Sequence, residues 1–318
     1  MTTVFIDGEA GTTGLQIRAR LKTRTDLTLL TIDPEKRKDP AVRRDMLNSA
    51  DVAILCLPDE SAVEAVNFID PASKTKVIDA SSAFRVSPGW TYGFPEMSKA
   101  QRAEITRSPR VSNPGCYPQG LIALLRPLIK AGIMSPDYPA TYNAISGYSG
   151  GGKKMIEDYE LHGAKIIPYL PYGLTFNHKH LPEMKTFSGL EHEPVFQPAV
   201  GNYAQGMMGA VPVFTDLLMK QVTGVDIREC LAAAYEDSHF ISVATLLEVE
   251  RSTSINPVAL NNTNQMRLHV FANDKRGHVL LMAVYDNLGK GASGAAVQNL
   301  NLMIGVDETL GADLVTPL

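Results

Sequence analysis

Apolar and polar residues alternate in blocks along the first third of the chain. Runs rich in Val, Ile and Leu recur at Thr3–Asp7, Leu27–Ile32, Val52–Leu57 and Lys76–Ala80. The segments between them, such as Gly14–Lys22 and Ala41–Leu47, carry apolar residues among polar ones at helical spacing. Nearly continuous apolar strands separated by helices are typical of βαβ units with a parallel sheet. We therefore predict an α/β fold for this part of the chain.

The pattern changes after Cys116. A helix is predicted over Gly120–Ala131, and a last apolar helix over Ala295–Ile304. Strand candidates lie at Thr141–Ser146, Pro194–Val200, Ile241–Leu247, Met266–Ala272 and Val279–Tyr285. Strands outnumber helices here, which favours an α+β domain with a mixed sheet. We expect two domains, residues 1–115 and 116–292, with a C-terminal helix in 293–318 that returns to the first domain.

Composition narrows the classes of partner. The 318 residues are 44% hydrophobic, enough for two buried cores. The net charge of −4 is spread along the chain, so we expect neither nucleic acid nor an anionic membrane as a partner. The N-terminus lacks a signal-peptide pattern and no apolar stretch is long enough to span a bilayer, so we expect a cytoplasmic protein. The three cysteines are widely spaced, which predicts reduced thiols rather than disulfides or a metal site.

The first strand candidate is followed by a glycine-rich turn. Gly8, Gly11 and Gly14 are spaced GxxGxxG, with Thr12 and Thr13 between the last two glycines, just before the next predicted helix. Glycine lets a backbone approach a pyrophosphate closely, and free amides at a helix N-terminus bind its charge. This turn therefore predicts a dinucleotide site, the alternative being a glycine-rich turn without a ligand.

The segment after the second strand candidate bears on the type of cofactor. Asp33 stands where NAD enzymes often keep a carboxylate, but the consecutive cations Lys36, Arg37 and Lys38 follow. Such cations can bind a 2′-phosphate, so the segment favours NADP over NAD. The alternative is a solvated charged loop.

Cys116 stands out among the cysteines. It lies in Asn113-Pro114-Gly115-Cys116-Tyr117-Pro118, directly before an apolar helix. Unpaired amides and the positive end of the helix dipole stabilise a thiolate and an oxyanion at that place. Cys116 is therefore the candidate nucleophile. The alternative is a small buried residue in a loop, an interpretation that fits Cys56 and Cys230 as core positions.

A nucleophilic cysteine needs a base, and His178 and His180 are the candidates. Histidines two residues apart on an extended segment face opposite sides, so we expect only one to address Cys116. We choose His180, with His178 in reserve. The alternative use of the pair, as ligands of zinc, lacks a third spaced ligand in the sequence.

The chain resembles the N-acetyl-γ-glutamyl-phosphate reductases, in particular their shorter branch. The matching segments run along nearly the whole chain: the GxxGxxG turn, Asp79-Ala80-Ser81-Ser82-Ala83-Phe84-Arg85, Tyr92-Gly93-Phe94-Pro95-Glu96, the segment around Cys116, Ser146-Gly147-Tyr148-Ser149-Gly150-Gly151-Gly152-Lys153, His178–Glu183 and Asp286–Gly294. The resemblance implies a Rossmann NADP-binding domain and a catalytic and oligomerisation domain like that of semialdehyde dehydrogenases. The turn departs from GxGxxG and contains Glu9, which affects details of cofactor binding.

Several further site residues follow from these segments. Arg85 is expected to bind the substrate phosphate or carboxylate. Ser146 and Ser149 lie in a loop like an anion-binding nest, with Lys153 adding charge; the alternative is a tight turn with a surface cation. We also expect Glu183 to contact the substrate. Ser81 and Gly291 are expected to contact the cofactor.

The resemblance implies an NADPH-dependent reduction. N-acetyl-L-glutamyl 5-phosphate would become N-acetyl-L-glutamate 5-semialdehyde and phosphate through a thioester on Cys116, in arginine biosynthesis and without a metal. The resemblance also implies a homo-oligomer, for which we expect a homodimer or homotetramer. Two alternatives stay open: a reductase of an aspartyl or aminoadipyl phosphate, and a dinucleotide-binding redox sensor.

Overall fold

The computed structural model describes residues 1–163 and 166–314. Its strands are β1 (Thr2–Asp7), β2 (Leu27–Leu30), β3 (Val52–Leu55), β4 (Lys76–Asp79), β5 (Thr91–Tyr92), β6 (Arg110–Ser112), β7 (Thr141–Gly147), β8 (Tyr169–Pro171), β9 (Val195–Gly201), β10 (Met207–Phe214), β11 (Ile241–Val243), β12 (Met266–Asn273) and β13 (His278–Tyr285). Its α-helices are α1 (Thr12–Leu21), α2 (Pro40–Ser49), α3 (Asp59–Asn67), α4 (Lys99–Arg107), α5 (Cys116–Lys130), α6 (Gly152–His162), α7 (Leu181–Ser188), α8 (Gly224–Ala234), α9 (Leu246–Arg251) and α10 (Gly294–Ile304).

The chain divides into two compact units. Unit 1 contains Met1–Gly115 and the C-terminal stretch from Ala292, and unit 2 contains Cys116–Gly291. Among the described helices, none has the length and apolar character needed to cross a membrane.

Unit 1 is built on a parallel sheet in the order β2-β1-β3-β4-β6-β5. All of β3 is buried, which explains why its sequence is apolar without alternation. The strand order reverses between β1 and β3, so the carboxyl ends of these two strands border a crevice. Open α/β sheets bind their ligands at such a reversal. The predicted Rossmann-type α/β fold is confirmed.

Helix α10 packs against α1, α4 and β4 of unit 1. It ends at Ile304, because Gly305 adopts a left-handed conformation with φ of 79°. The Asn301 side chain then donates to the carbonyl oxygens of Glu308 and Leu310, which holds the following residues in turns. The helix predicted over Ala295–Ile304 is thus confirmed, while residues 315–318 of the expected C-terminal segment 293–318 lie outside the described residues.

Unit 2 is built on a mixed sheet in the order β11-β12-β13-β10-β7-β9-β8, as predicted. One face packs against α5 and α8 and buries side chains such as Val211, Leu268 and Leu281. The opposite face, called here the open face, carries exposed or half-buried side chains. It includes Asn143, Val195, Pro212, Phe214, Phe271 and Leu280.

Unit 2 differs from the sequence prediction at α9 and at strands β8 and β10, of which the short β8 was not predicted. The strand expected over Ile241–Leu247 stops at Val243, and α9 starts at Leu246. A capping box between Thr245 and Glu248 explains the helix, because each side chain bonds to the backbone amide of the other. Strand β10 was not predicted, because Pro212 is unfavourable within a central strand. Pro212 lies beyond Ala210, the last residue of β10 that pairs with β7.

Candidate active site

Cys116 is the first residue of α5 and of unit 2. Strand β6 leads into it through Asn113-Pro114-Gly115. The first amides of a helix have no partner within the helix, and they carry the positive end of its dipole. The structure therefore places Cys116 at the helix start that the sequence indicated.

The approach to Cys116 is held within unit 1 by Asn113, which is 1% exposed. Its backbone N–H donates to Asp79 O at 2.6 Å, and its Nδ2 donates to Ala292 O at 2.9 Å. Its Oδ1 accepts from Asn299 Nδ2 at 3.1 Å. These bonds fix the point where the chain leaves the parallel sheet for α5.

Arg85 is buried beside this segment. Its Nε donates to Asn113 O at 3.1 Å, and its Nη2 donates to Ala80 O at 3.2 Å. These two bonds brace the backbone before Cys116. The sequence indicated an anion-binding role for Arg85 but gave no sign of this bracing contact.

Gly291 lies against the candidate nucleophile in unit 2. A Cβ atom on Gly291 would be 3.0 Å from Cys116 Cβ and 3.1 Å from Asp286 O. Gln119 Nε2 donates to Lys290 O at 2.7 Å and ties the same loop to α5. The structure thus places Gly291 beside Cys116, whereas the sequence assigned it to the cofactor.

The two histidines lie together, so the expectation that they face opposite sides is wrong. His180 has helical torsions and precedes α7, and its N–H donates to His178 Nδ1 at 3.2 Å. The segment is a turn rather than a strand, and the ring centroids are 4.7 Å apart. The Tyr117 ring is 6.3 Å from that of His178 and 6.1 Å from that of His180. Both imidazoles therefore lie beside the residue that follows Cys116.

Tyr172 and Phe196 complete this cluster. The Tyr172 ring centroid is 5.8 Å from that of His178, and the Phe196 centroid is 5.1 Å from it. Burial raises the pKa of Tyr172 to about 12, with a smaller contribution from the nearby Cys116. Tyr172 is therefore a neutral phenol at physiological pH. Nothing in the sequence singled it out, since it belongs to no recognisable motif.

A cavity of about 500 Å³ in unit 1 lies at the carboxyl ends of β1 and β3. Its lining includes the turn from Asp7 to Gly11, and α1 begins directly after it at Thr12 and Thr13. Gly8 has φ of 86°, and a Cβ there would be 2.3 Å from Cys56 O. Gly14 is equally restricted, because its Cβ would be 2.5 Å from Gly8 O.

Gly11 differs from the other two glycines of the turn. A Cβ on Gly11 would meet only Gly8 O, at an ordinary 3.4 Å, so the turn does not itself require glycine there. Glu9 of the same turn forms an ion pair with Arg18 on α1. The unusual acidic residue is thus neutralised locally.

Cations border the same cavity. Arg37 and Lys38 line it, whereas Lys36 closes a backbone turn by donating to Asp33 O at 2.8 Å. Arg43 also lines the cavity, and its Nη2 is 2.9 Å from Asp7 Oδ2. The sequence missed Arg43, which belongs to α2 and reaches the cavity only through the fold.

Cys56 is not the core residue that the sequence indicated. It follows β3, is half-buried and lines the cavity beside Gly8. Burial raises the pKa of its thiol, with further contributions from Asp79 and Asp7. This setting disfavours a thiolate. None of the three cysteines, all in the described part of the chain, forms a disulfide.

Asp79 is the last residue of β4, and Ser81 follows this strand. Ser81 Oγ donates to Asp79 Oδ2 at 2.6 Å, so the predicted cofactor residue is already engaged with a carboxylate. Asp79 is fully buried, and burial raises its pKa to about 6. Its Oδ1 accepts no hydrogen bond from the described residues.

In the predicted anion-binding loop, the serine hydroxyls form hydrogen bonds with neighbouring protein groups. Ser146 Oγ donates to Gly147 O at 3.1 Å, and Ser149 Oγ accepts from Asn287 Nδ2 at 2.9 Å. Lys153 is exposed on α6 and pairs with Glu157. Glu183, in the first turn of α7, is 1% exposed. Within residues 1–163 and 166–314, no group of three His, Cys, Asp or Glu could hold a metal.

Two parts of the chain match domains of known proteins, and nearly the whole chain is similar to known enzymes. Residues 10–105 match the semialdehyde dehydrogenase NAD-binding domain, and residues 116–287 match the semialdehyde dehydrogenase dimerisation domain. The chain is 56% identical over 303 residues to N-acetyl-gamma-glutamyl-phosphate reductase of Chelativorans sp. (strain BNC1), covering 95% of this chain and 97% of that protein. It is 53% identical to the reductase of Mesorhizobium japonicum, over 95% of this chain and 99% of the relative.

The chain belongs to the N-acetyl-gamma-glutamyl-phosphate reductase family. Another member, "N-acetyl-gamma-glutamyl-phosphate reductase 2" of Pseudomonas putida, is 50% identical over 97% of this chain and 98% of its own. The family resemblance proposed from the motifs is confirmed. The NAD-binding match supports a nicotinamide dinucleotide as the cofactor.

Solved structures support the fold of this family member. Aspartate semialdehyde dehydrogenase II from Vibrio cholerae, complexed with ASA, superposes with a TM-score of 0.72 at 17% identity, covering 96% of this chain and 98% of that chain. Aspartate semialdehyde dehydrogenase from Francisella tularensis gives 0.69 at 15% identity, covering 96% and 100%. At these identities the likeness concerns the fold alone.

Proposed function

We propose that the chain reduces N-acetyl-L-glutamyl 5-phosphate to N-acetyl-L-glutamate 5-semialdehyde and phosphate with NADPH, in cytoplasmic arginine biosynthesis. Its relatives at 50–56% identity carry the name of this reaction. The observation that carries the proposal is Cys116 at the start of α5, with His178 and His180 beside the adjoining Tyr117.

The cavity of unit 1 fits the dinucleotide. The small residue at Gly11 leaves room at the start of α1, where free amides suit a pyrophosphate. Arg37 and Lys38 border the cavity and suit a 2′-phosphate, which supports NADP over NAD. Lys36, Thr12, Thr13 and Ser81 remain proposed cofactor contacts. When bound, the nicotinamide supplies a hydride.

Cys116 begins the reaction. Its thiolate attacks the acyl carbonyl carbon, and the bond from that carbon to the phosphate oxygen breaks. Inorganic phosphate departs, takes up one proton from water, and a thioester forms on Cys116. Amides of the first turn of α5 stabilise the oxyanion that forms on the carbonyl oxygen. After hydride transfer the same carbon carries the sulfur and an oxyanion.

A histidine then acts as the general acid and base for the thiohemiacetal oxygen. His180, with His178 as the second candidate, donates a proton to the oxyanion of the thiohemiacetal and takes it back as the carbon–sulfur bond breaks. This step releases the semialdehyde and returns Cys116 to the thiolate. We propose that Arg85, Ser146, Ser149, Lys153 and Glu183 bind the substrate.

We further propose a homodimer or homotetramer. The matched domain over residues 116–287 is described as a dimerisation domain. Apolar side chains on the open face support contact with a second copy there, since Phe214 is 54% exposed and Leu280 is 37% exposed.

The reverse reaction tests this function. Purified protein is mixed with N-acetylglutamate semialdehyde, phosphate and NADP⁺, and NADPH formation is followed by absorbance. We expect phosphate-dependent NADPH formation that is lost in Cys116→Ser. Faster turnover of aspartate semialdehyde would overturn the proposed substrate. Turnover of neither aldehyde would favour a redox sensor.

A further inference from the structure

A buried tyrosine hydroxyl contacts the backbone of the candidate nucleophile. Tyr285 is the last residue of β13 and is fully buried. Its Oη donates to Cys116 O at 2.7 Å and accepts from Gly120 N at 3.2 Å. These two groups are the i and i+4 partners of the first turn of α5. One hydroxyl thus bridges both ends of that turn.

The packing around this turn leaves space for the hydroxyl. A Cβ on Gly120 would be 2.8 Å from Tyr285 Oη and 2.6 Å from Tyr142 Oη. Tyr142 Oη donates to Tyr117 O at 3.1 Å. The two buried phenols therefore donate hydrogen bonds to the carbonyl oxygens of residues 116 and 117. Glycine at position 120 leaves the space that their hydroxyls occupy.

Both phenols are donors over the physiological pH range. Burial raises the pKa of Tyr285 well above its usual value and raises that of Tyr142 as well. A neutral hydroxyl can donate to a carbonyl and accept from an amide at the same time. This is the pattern that Tyr285 shows.

We infer that Tyr285 is a positioning residue for Cys116, an inference that rests on the proposed nucleophilic role of this cysteine. The hydrogen bond from Tyr285 fixes the backbone torsions of Cys116 and partly neutralises the negative end of its carbonyl dipole near the sulfur. Gly291 packs against Cys116 Cβ in the same unit and limits its movement. Sulfur and first-turn amides thereby keep one relative geometry before substrate binds.

The test compares Tyr285→Phe with Tyr235→Phe. Tyr235 is also buried, and its Oη donates to Ala123 O of α5 at 2.9 Å, farther along the helix than Cys116. Both variants lose one hydroxyl that contacts an α5 carbonyl. The readouts are kcat and KM in the reverse reaction, the pH profile of Cys116 alkylation by iodoacetamide, and the thermal midpoint.

We expect Tyr285→Phe to lower kcat about tenfold, as for the loss of one ordinary hydrogen bond, with KM for NADP⁺ changed less than about twofold. The midpoint of its alkylation profile is expected to rise by about one pH unit, because the thiolate loses stabilisation. Tyr235→Phe is expected to keep the wild-type kcat and alkylation profile. Equal kcat values and equal profiles in the two variants would overturn the inference.

The alkylation experiment separates a failure of this inference from a failure of the proposed function. Alkylation of a residue other than Cys116 in the active wild type would overturn the nucleophile itself. If Tyr285→Phe does not fold, Tyr142→Phe decides, because the Tyr142 hydroxyl lies beside that of Tyr285 at Gly120 and donates to the adjoining carbonyl of Tyr117. A smaller change in the same direction supports the inference, and an unchanged alkylation profile with unchanged kcat overturns it.

Discussion

Two imidazoles, those of His178 and His180, are candidates for the role of general acid and base. His180 is 6% exposed at the start of α7, while His178 is half-buried and contacts the Tyr172 ring. Their rings touch, so a change at one alters the surroundings of the other. The base is therefore identified by comparing matched variants.

We expect His180→Asn to lower kcat by about 10²- to 10⁴-fold with little change in KM, as for loss of a general acid and base. His178→Asn is the matched control and is expected to have the milder effect. Steady-state kinetics of the reverse reaction measure both. A severe loss in His178→Asn with a mild loss in His180→Asn would reverse the assignment.

Asp79 predicts a pH-dependent stability. Its folded pKa of about 6 lies above the ordinary 3.8, so the folded state retains this proton to higher pH than the unfolded state. Its contribution to the free energy of unfolding is therefore present at low pH and is lost between about pH 4 and pH 6, by about 3 kcal/mol. We expect the thermal midpoint of the wild type to fall relative to Asp79→Asn across this range. A constant difference between the two midpoints would contradict the prediction.

At the scale of elements, two helix starts define the proposed chemistry. Helix α1 begins at the glycine-rich turn beside the cavity, and α5 begins at Cys116. Both present unpaired amides, which suit a pyrophosphate in one case and a thiolate and oxyanion in the other. The loop after β2 adds the cations Lys36, Arg37 and Lys38.

Replacing all three cations by Ala is expected to raise the KM for NADPH by about tenfold or more, the effect of one lost charge-assisted hydrogen bond. The KM for NADH is expected to change little, because NADH lacks the 2′-phosphate. Initial rates with each cofactor in the reduction measure both constants. Equal losses for both cofactors would contradict the assignment of this loop.

Local patterns predicted much of the fold. The first four strand candidates match β1 to β4 within two residues, because buried parallel strands are continuous apolar runs. Predicted helix Ala295–Ile304 matches α10 within one residue. Strand β10 was missed because Pro212 masks its pattern, and α9 because a capping box overrides apolar residues that suit a strand.

The site was predicted less completely than the fold. The position of Cys116 at the start of a helix was predicted correctly, because the start of a helix is a local feature of the sequence. Arg43, Tyr172 and Tyr285 were missed, since each reaches its site only through contacts between residues distant in the sequence. The histidine geometry was wrong because the segment was assumed to be extended, whereas His180 has helical torsions.

For the whole molecule, exposed apolar side chains on the open face predict contact with a second copy of the chain. Phe214 and Leu280 are exposed apolar residues on adjoining strands. We expect Phe214→Glu with Leu280→Glu to shift the protein to a smaller oligomer, because a buried unpaired carboxylate is costly. Val63→Glu, at an exposed apolar position on α3, is the control and is expected to keep the wild-type mass. Light scattering after size-exclusion chromatography measures the masses. An unchanged mass in the double variant would contradict this surface.

The proposed mechanism requires a covalent intermediate on Cys116, which mass spectrometry of the acylated protein can detect. The protein is incubated with N-acetylglutamyl phosphate without NADPH, and the intact mass and the modified peptide are determined. We expect one N-acetylglutamyl adduct at Cys116, retained in Cys230→Ser and absent from an inactive but folded Cys116→Ser. An adduct at another residue, or an active Cys116→Ser enzyme, would rule out Cys116 as the nucleophile.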